Sequence, residues 1–199
     1  ETFAALAKLF SKTALEVCEG QQWDMDFETQ AQVSIPQYLQ MIRYKTAVLV
    51  GAALQMGAII AGASIENQRL IYDFGVTIGL AFQLQDDYLD TFGDEAFGKK
   101  IGGDILENKK TILYLKALDL ADEAQRNTLI AQYTTSEEND EKIAIVTQLF
   151  RQIGAAEAVR DEITRTTDEA LNLLEHITIS DENRAYLKQF ALELMNRKV

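Results

Sequence analysis

The chain has 199 residues, 47% of them hydrophobic, and a formal net charge of −12 at pH 7. That length fits one domain with a sizeable core, and the acidic excess argues against nucleic acid and against simple adhesion to anionic lipid. Cys18 and His176 are each the only residue of their type, which leaves no intrachain disulfide and no histidine triad or histidine-based zinc site, and makes a reducing, cytoplasmic setting the default.

Residues 1 to 19 carry Lys8, Lys12, Glu16 and Glu19 on an amphipathic pattern, unlike a secretory leader. A first helix is expected over Thr2 to Glu19, stopped at Gly20. Ser34-Ile35-Pro36-Gln37 reads as a capping box with proline in the first turn, opening a helix that runs to about Lys45. Thr46 to Ala63 and Glu66 to Phe92 form an apolar central pair. From Thr46 to Ile65 no residue is charged, but eleven of those twenty are Gly, Ala, Ser or Thr, and Gln55 lies near the middle. Such a helix suits close contact with other helices better than a membrane span. Beyond a glycine-rich stretch, Asn108 is expected to cap a helix to about Leu120. Asp122 to Tyr133, Glu137 to Ile153, Ala155 to Ile177 and Asp181 to Met195 follow, with Ser136, Gly154 and Ser180 as boundary residues. The expectation is all-α, a single helical domain over residues 1–199.

The chemistry concentrates at the end of the second central helix. From Ile71 to Leu84 the only charge is Asp73, and then comes Phe82-Gln83-Leu84-Gln85-Asp86-Asp87-Tyr88-Leu89-Asp90. The helical period puts Gln83, Asp86 and Asp90 on one face, with Asp87 one position round. Carboxylates this close repel, and they also oppose the dipole at a helix C-terminus; a hard cation such as Mg²⁺ removes both penalties. Gly93 to Gly103 then holds four of the chain's eleven glycines, and Lys99, Lys100, Lys109 and Lys110 follow closely on the acidic run. Glycines allow close backbone approach and lysines supply charge to phosphate oxygens, so the segment reads as a clamp for a phosphorylated anion. Neither a Walker-type run nor Gly-x-Gly-x-x-Gly is present, which argues against a nucleotide.

These residues resemble the trans-isoprenyl diphosphate synthases of the polyprenyl synthetase family, the group of farnesyl and geranylgeranyl diphosphate synthases. Phe82-Gln83-x-x-Asp86-Asp87-x-x-Asp90 is similar to that family's second aspartate-rich motif. Gly98-Lys99-x-x-Gly102-x-Asp104-Ile105, with Lys109 and Thr111, is similar to the lysine loop after it. Gly20-Gln21-x-x-Asp24 and Lys45-Thr46 match two further motifs in the same order. The resemblance implies an isoprenoid-synthase-type bundle around a central cavity and Mg²⁺-dependent condensation of isopentenyl diphosphate with an allylic prenyl diphosphate. It implies Asp86, Asp87 and Asp90 as metal ligands, direct or through water. Lys45, Lys99, Lys100 and Lys109 would bind the allylic diphosphate, and Lys45, Thr46 and Gln83 would face the allylic cation. A homodimer is the family expectation.

The family's first aspartate-rich motif has no counterpart here, because Asp24, Asp26 and Glu28 do not form Asp-Asp-x-x-Asp. The expectation is therefore the C-terminal part of such a domain, associated with the missing N-terminal part and without turnover alone. Two alternatives belong to other readings. A non-catalytic subunit of a heteromeric synthase would not need the acidic run and lysine loop. A terpene cyclase would need Asp87, Thr91 and Glu95 on one continuous helix, which Phe92-Gly93 should break. Arg197 reads as a surface residue in preference to a site residue.

Overall fold

The computed structural model describes residues 1–93, 101–135 and 139–196, and all regular structure among them is helical. The helices are α1 (Thr2–Thr29), α2 (Ile35–Ile42), α3 (Val48–Ile60), α4 (Ile65–Phe92), α5 (Gly103–Leu106), α6 (Ile112–Leu120), α7 (Glu123–Thr134), α8 (Asp140–Ile153), α9 (Ala155–Glu175) and α10 (Asp181–Met195). A π-helical turn, Arg43–Ala47, joins α2 to α3 without a break. By its contacts the chain falls into two compact units. The first comprises Glu1–Met25, Leu39–Gln83 and the stretch from Thr164 through α10; the second comprises Asp26–Tyr38 and Leu84–Ile163.

The first unit has its core where α4 meets α9 and α10, at Ile71, Phe74, Ile78, Ala170, Leu174 and Ala191. α3 and α4 touch backbone to backbone. A Cβ on Gly75 would stand 2.7 Å from the Gly51 Cα, and one on Gly79 would stand 2.8 Å from the Ala47 Cα. The small residues of the uncharged stretch therefore serve helix contact, as expected. α3 itself has only 13 residues and ends at Ile60, with Gly62 at φ +71 just beyond its C-cap Ala61. Among the described residues no helix is long and apolar enough to cross a membrane. The α9–α10 turn is tied down by Arg184, which donates to the Leu174 and Ile177 carbonyls, and by Asn67, whose amide exchanges two 3.0 Å hydrogen bonds with Thr178.

Two boundaries differ from expectation for one physical reason. α1 does not stop at Gly20 but continues to Thr29. Gly20 is needed for proximity, because a Cβ there would lie 2.3 Å from the Lys45 N and 2.7 Å from the Tyr44 C. α1 thus crosses directly on the π turn. No helix ends at Lys45 either: the flanking residues Ile42, Ala47 and Val48 are all in the right-handed helical region.

In the second unit Ile112, Leu113, Leu129, Val146, Phe150 and Val159 are fully buried. Asp122 and Gln125 make a reciprocal capping box at α7, Asn139 caps α8 and Ser180 caps α10, each accepting from the backbone N–H three residues on. Gly154 ends α8 at φ +84. Asn108 caps no helix; it takes φ +55 in the turn between α5 and α6, and α6 begins four residues later.

Candidate functional site

Within the first unit, the π turn presents Lys45 and Thr46. The Lys45 ammonium donates to the Asp24 carboxylate at 2.6 Å, both side chains partly exposed at 36% and 27%. Thr46 donates to the Gln83 side-chain oxygen at 3.2 Å, and Trp23 stacks on Tyr44 at 5.4 Å. The structure therefore brings together members of three separate sequence motifs: Asp24 with Lys45, and Thr46 with Gln83. π turns of this kind are frequent at functional positions. Gln21 is exposed.

Within the second unit, the last turns of α4 carry the acidic run as one continuous helix. Asp86 and Asp90 are half-buried and Asp87 is buried, at 6% exposure. Asp87 accepts a short hydrogen bond from the Tyr38 hydroxyl and one of 3.4 Å from the Ile112 N–H, the first of α6. Its charge sits at a helix N-terminus, where it is favoured. Asp90 reaches the following segment: it accepts from the Asp104 N–H at 3.0 Å with its carboxylate and from the Gly102 N–H at 2.6 Å with its backbone oxygen. Gly103 allows this approach, since a Cβ there would lie 3.2 Å from the Asp90 carboxylate.

Asp104 in turn pairs with Lys109 at 3.0 Å, and Glu107 adds a second contact at 2.7 Å. Burial alone would lower the Lys109 pKa, but the hydrogen bonds it donates to Glu107 and Asp104 outweigh it, so the ammonium is held above its ordinary value. Lys110 points elsewhere: it donates to the Phe27 and Glu28 carbonyls at the end of α1, 2.7 and 3.1 Å away, and desolvation pulls its pKa down. It caps a helix C-terminus. A cavity of about 540 Å³ in this unit is bordered by Lys110, Tyr114, Arg126 and Tyr133, and Asp86, Asp87, Asp90 and Lys109 are not in its lining. The Tyr133 phenol is pushed well up, first by desolvation and then by Tyr114, Asp104, Asp90 and Asp87. Lys99, Lys100, Glu95 and Arg197 lie outside the described residues.

Sequence reasoning missed Tyr38 and Lys142. Tyr38 gives no local sign of its partner 49 residues away. Lys142 gives one: it occupies the stripe Lys142, Val146, Leu149, Phe150 of α8, a lysine where an apolar residue belongs.

An all-helical chain carrying this acidic helix end beside a glycine-lysine segment matches the polyprenyl synthetase family over residues 2–151. The chain belongs to that family. It is 39% identical over 185 residues to the short chain isoprenyl diphosphate synthase of Methanothermobacter thermautotrophicus, covering 91% of this chain and 56% of the relative. The crystal structure of a geranylgeranyl pyrophosphate synthase superposes with a TM-score of 0.94 at 51% identity, over 100% of this chain and 62% of that one. A geranylgeranyl pyrophosphate synthase of Corynebacterium glutamicum, complexed with isoprenyl diphosphate and magnesium, gives 0.91 at 34% identity, over 99% and 56%. The chain spans about half the length of the curated relatives it matches.

Proposed function

We propose that this chain supplies the allylic-diphosphate side of a Mg²⁺-dependent trans-prenyl diphosphate synthase, which joins isopentenyl diphosphate to an allylic prenyl diphosphate. The observation that carries the reading is the linkage Asp90–Asp104–Lys109, which holds an ammonium group next to the acidic end of α4. In this reading Lys109, with Lys99 and Lys100, neutralises the diphosphate oxygens as the allylic C–O bond ionises. Lys45 adds charge in the first unit, and the Thr46–Gln83 pair offers dipoles without a strong nucleophile to an allylic cation. Diphosphate itself takes the final proton, which suits a chain whose only histidine is His176.

Among the described residues no group of three His, Cys, Asp or Glu side chains converges as a metal cage. The donor set nevertheless fits Mg²⁺, which is commonly held by one or two carboxylates together with substrate phosphates and water. Half-buried Asp86 and Asp90 would hold it, with Asp87 contributing through water. When bound, the ion stabilises negative charge developing on the departing diphosphate. A cytoplasmic protein is part of the proposal, as is a homodimer or association with an N-terminal part. Phe3, Phe10 and Leu15 on α1, 84, 65 and 61% exposed, support such an association.

The test is binding of farnesyl diphosphate with and without Mg²⁺. Metal-dependent binding that EDTA and Asp86→Ala both remove is expected; no binding, or binding indifferent to metal, refutes the reading. A product longer by one isopentenyl unit, seen by mass spectrometry when isopentenyl diphosphate is added, would establish turnover by this chain.

A further inference from the structure

Lys142 is a buried ammonium group that the chemistry above does not use. It is 2% exposed, in the first turn of α8 on the face that packs inward. Its Nζ donates to the Asn108 Oδ1 at 2.7 Å and lies 3.5 Å from both the Leu106 and Thr135 carbonyls. Asn108 in turn donates its amide to the Thr135 carbonyl at 3.2 Å. The α5–α6 turn, the end of α7 and the start of α8 therefore meet at one buried charge. Ile143, the next residue of α8, fills the space over Gly102, where a Cβ would come within 2.8 Å of its side chain at φ +82. α8 thus backs α5 at both ends: at Gly102, which bonds Asp90, and at Asn108, which immediately precedes Lys109.

Two energetic features ask for a reason. Burying an ammonium group carries a desolvation penalty that persists after relaxation. Asn108 is the one non-glycine residue with positive φ among those described, a conformation that L side chains adopt at some strain and that recurs where a ligand group must be aimed. A turn held only for folding would reach φ +55 more readily with glycine. Asparagine adds the side-chain acceptor that Lys142 needs, and the locked turn sets the direction in which Lys109 leaves the backbone.

We propose that Lys142 is a positioning residue: through Asn108 it fixes the turn that presents Lys109 to a diphosphate. This rests on the reading of Lys109 as a diphosphate ligand. The experiment is calorimetric titration of the full chain with inorganic pyrophosphate and Mg²⁺, comparing wild type, Lys109→Met, Lys142→Met, Asn108→Gly and the Lys109→Met/Lys142→Met double variant.

Lys142→Met and Asn108→Gly are each expected to weaken binding about tenfold, the lower range for loss of a supporting residue. The double variant should bind no more weakly than Lys109→Met, because a residue acting through Lys109 has nothing left to position. Asn108→Gly keeps the positive φ, so it decides the matter if Lys142→Met fails to fold. Unchanged binding in Asn108→Gly and in any folded Lys142→Met, beside a weakened Lys109→Met, would overturn the proposal. So would losses that multiply in the double variant. Wild-type binding by Lys109→Met would instead remove the diphosphate reading of Lys109, and this inference with it.

Discussion

Replacing Gly20 by alanine separates two explanations of that glycine by the sign of the effect. If Gly20 were an unconstrained glycine inside α1, alanine would stabilise the helix by about 1 kcal/mol through helix propensity alone. The added Cβ would instead stand 2.3 Å from the Lys45 N, 2.7 Å from the Tyr44 C and 2.8 Å from the Lys45 Cα, where ordinary contacts begin at 3.4 Å. All of these are backbone atoms, so no rotamer change relieves the overlap and the π turn must move by about 1 Å. Overpacking of this kind opposes folding by about 3 kcal/mol at the upper end of its range, which leaves a net loss of about 2 kcal/mol. For a chain of this length that lowers the midpoint of thermal unfolding by about 4–8 °C. Gly57→Ala is the matched control: Gly57 lies inside α3 with nothing within 4 Å of its Cβ position, and should rise by about 2–4 °C. Differential scanning calorimetry of the two variants suffices. A Gly20→Ala protein as stable as Gly57→Ala would refute the direct crossing of α1 on the π turn.

Tyr38→Phe removes the hydroxyl that donates to buried Asp87 and should destabilise by about 1.5–3 kcal/mol, the range for a hydrogen bond to a charged group, read as a shift in urea midpoint. Lys109→Met should weaken pyrophosphate binding by about tenfold or more, whereas Lys8→Met, on the exposed side of α1, should leave it unchanged in the same titration. Tyr72, Tyr114 and Tyr133 all have pKa values raised above 10.0, chiefly by desolvation. These phenols should ionise later than free tyrosine in an ultraviolet titration, and in step with it once urea unfolds the chain. Because the folded values lie above the unfolded one, their contribution to stability is complete below pH 10 and disappears as pH climbs through the folded values.

Periodicity and capping residues were enough to read most helices: Asp122, Gly154 and Ser180 mark real ends, and the apolar run from Ile71 is the core-facing part of α4. The acidic run and the lysine segment were legible as chemistry because their composition is unusual. What could not be read was anything set by partners distant in sequence. Gly20 looks locally like a stop, and only α1 crossing the π turn shows that it is a contact residue. Asn108 looks locally like a cap, and only Lys142 from α8, with Thr135, explains why it takes a positive φ. Among the acidic residues Asp87 is set apart by Tyr38 and the first N–H of α6, neither of which any spacing rule connects to it.

The π turn also changes how the α2–α3 rod is to be read. A π turn amounts to a single residue inserted into a regular helix, so the side chains before Arg43 and after Ala47 are out of phase by about 100°. The rod therefore has no single apolar stripe: Tyr38 and Met41 belong to one azimuth and Val48 and Ala52 to another. Deleting one residue between Arg43 and Ala47 would restore a plain helix and rotate everything upstream by that angle, without altering the chemistry of any side chain. The phase shift, more than any single residue, sets which side chains of this helical run share a face before Arg43 and after Ala47.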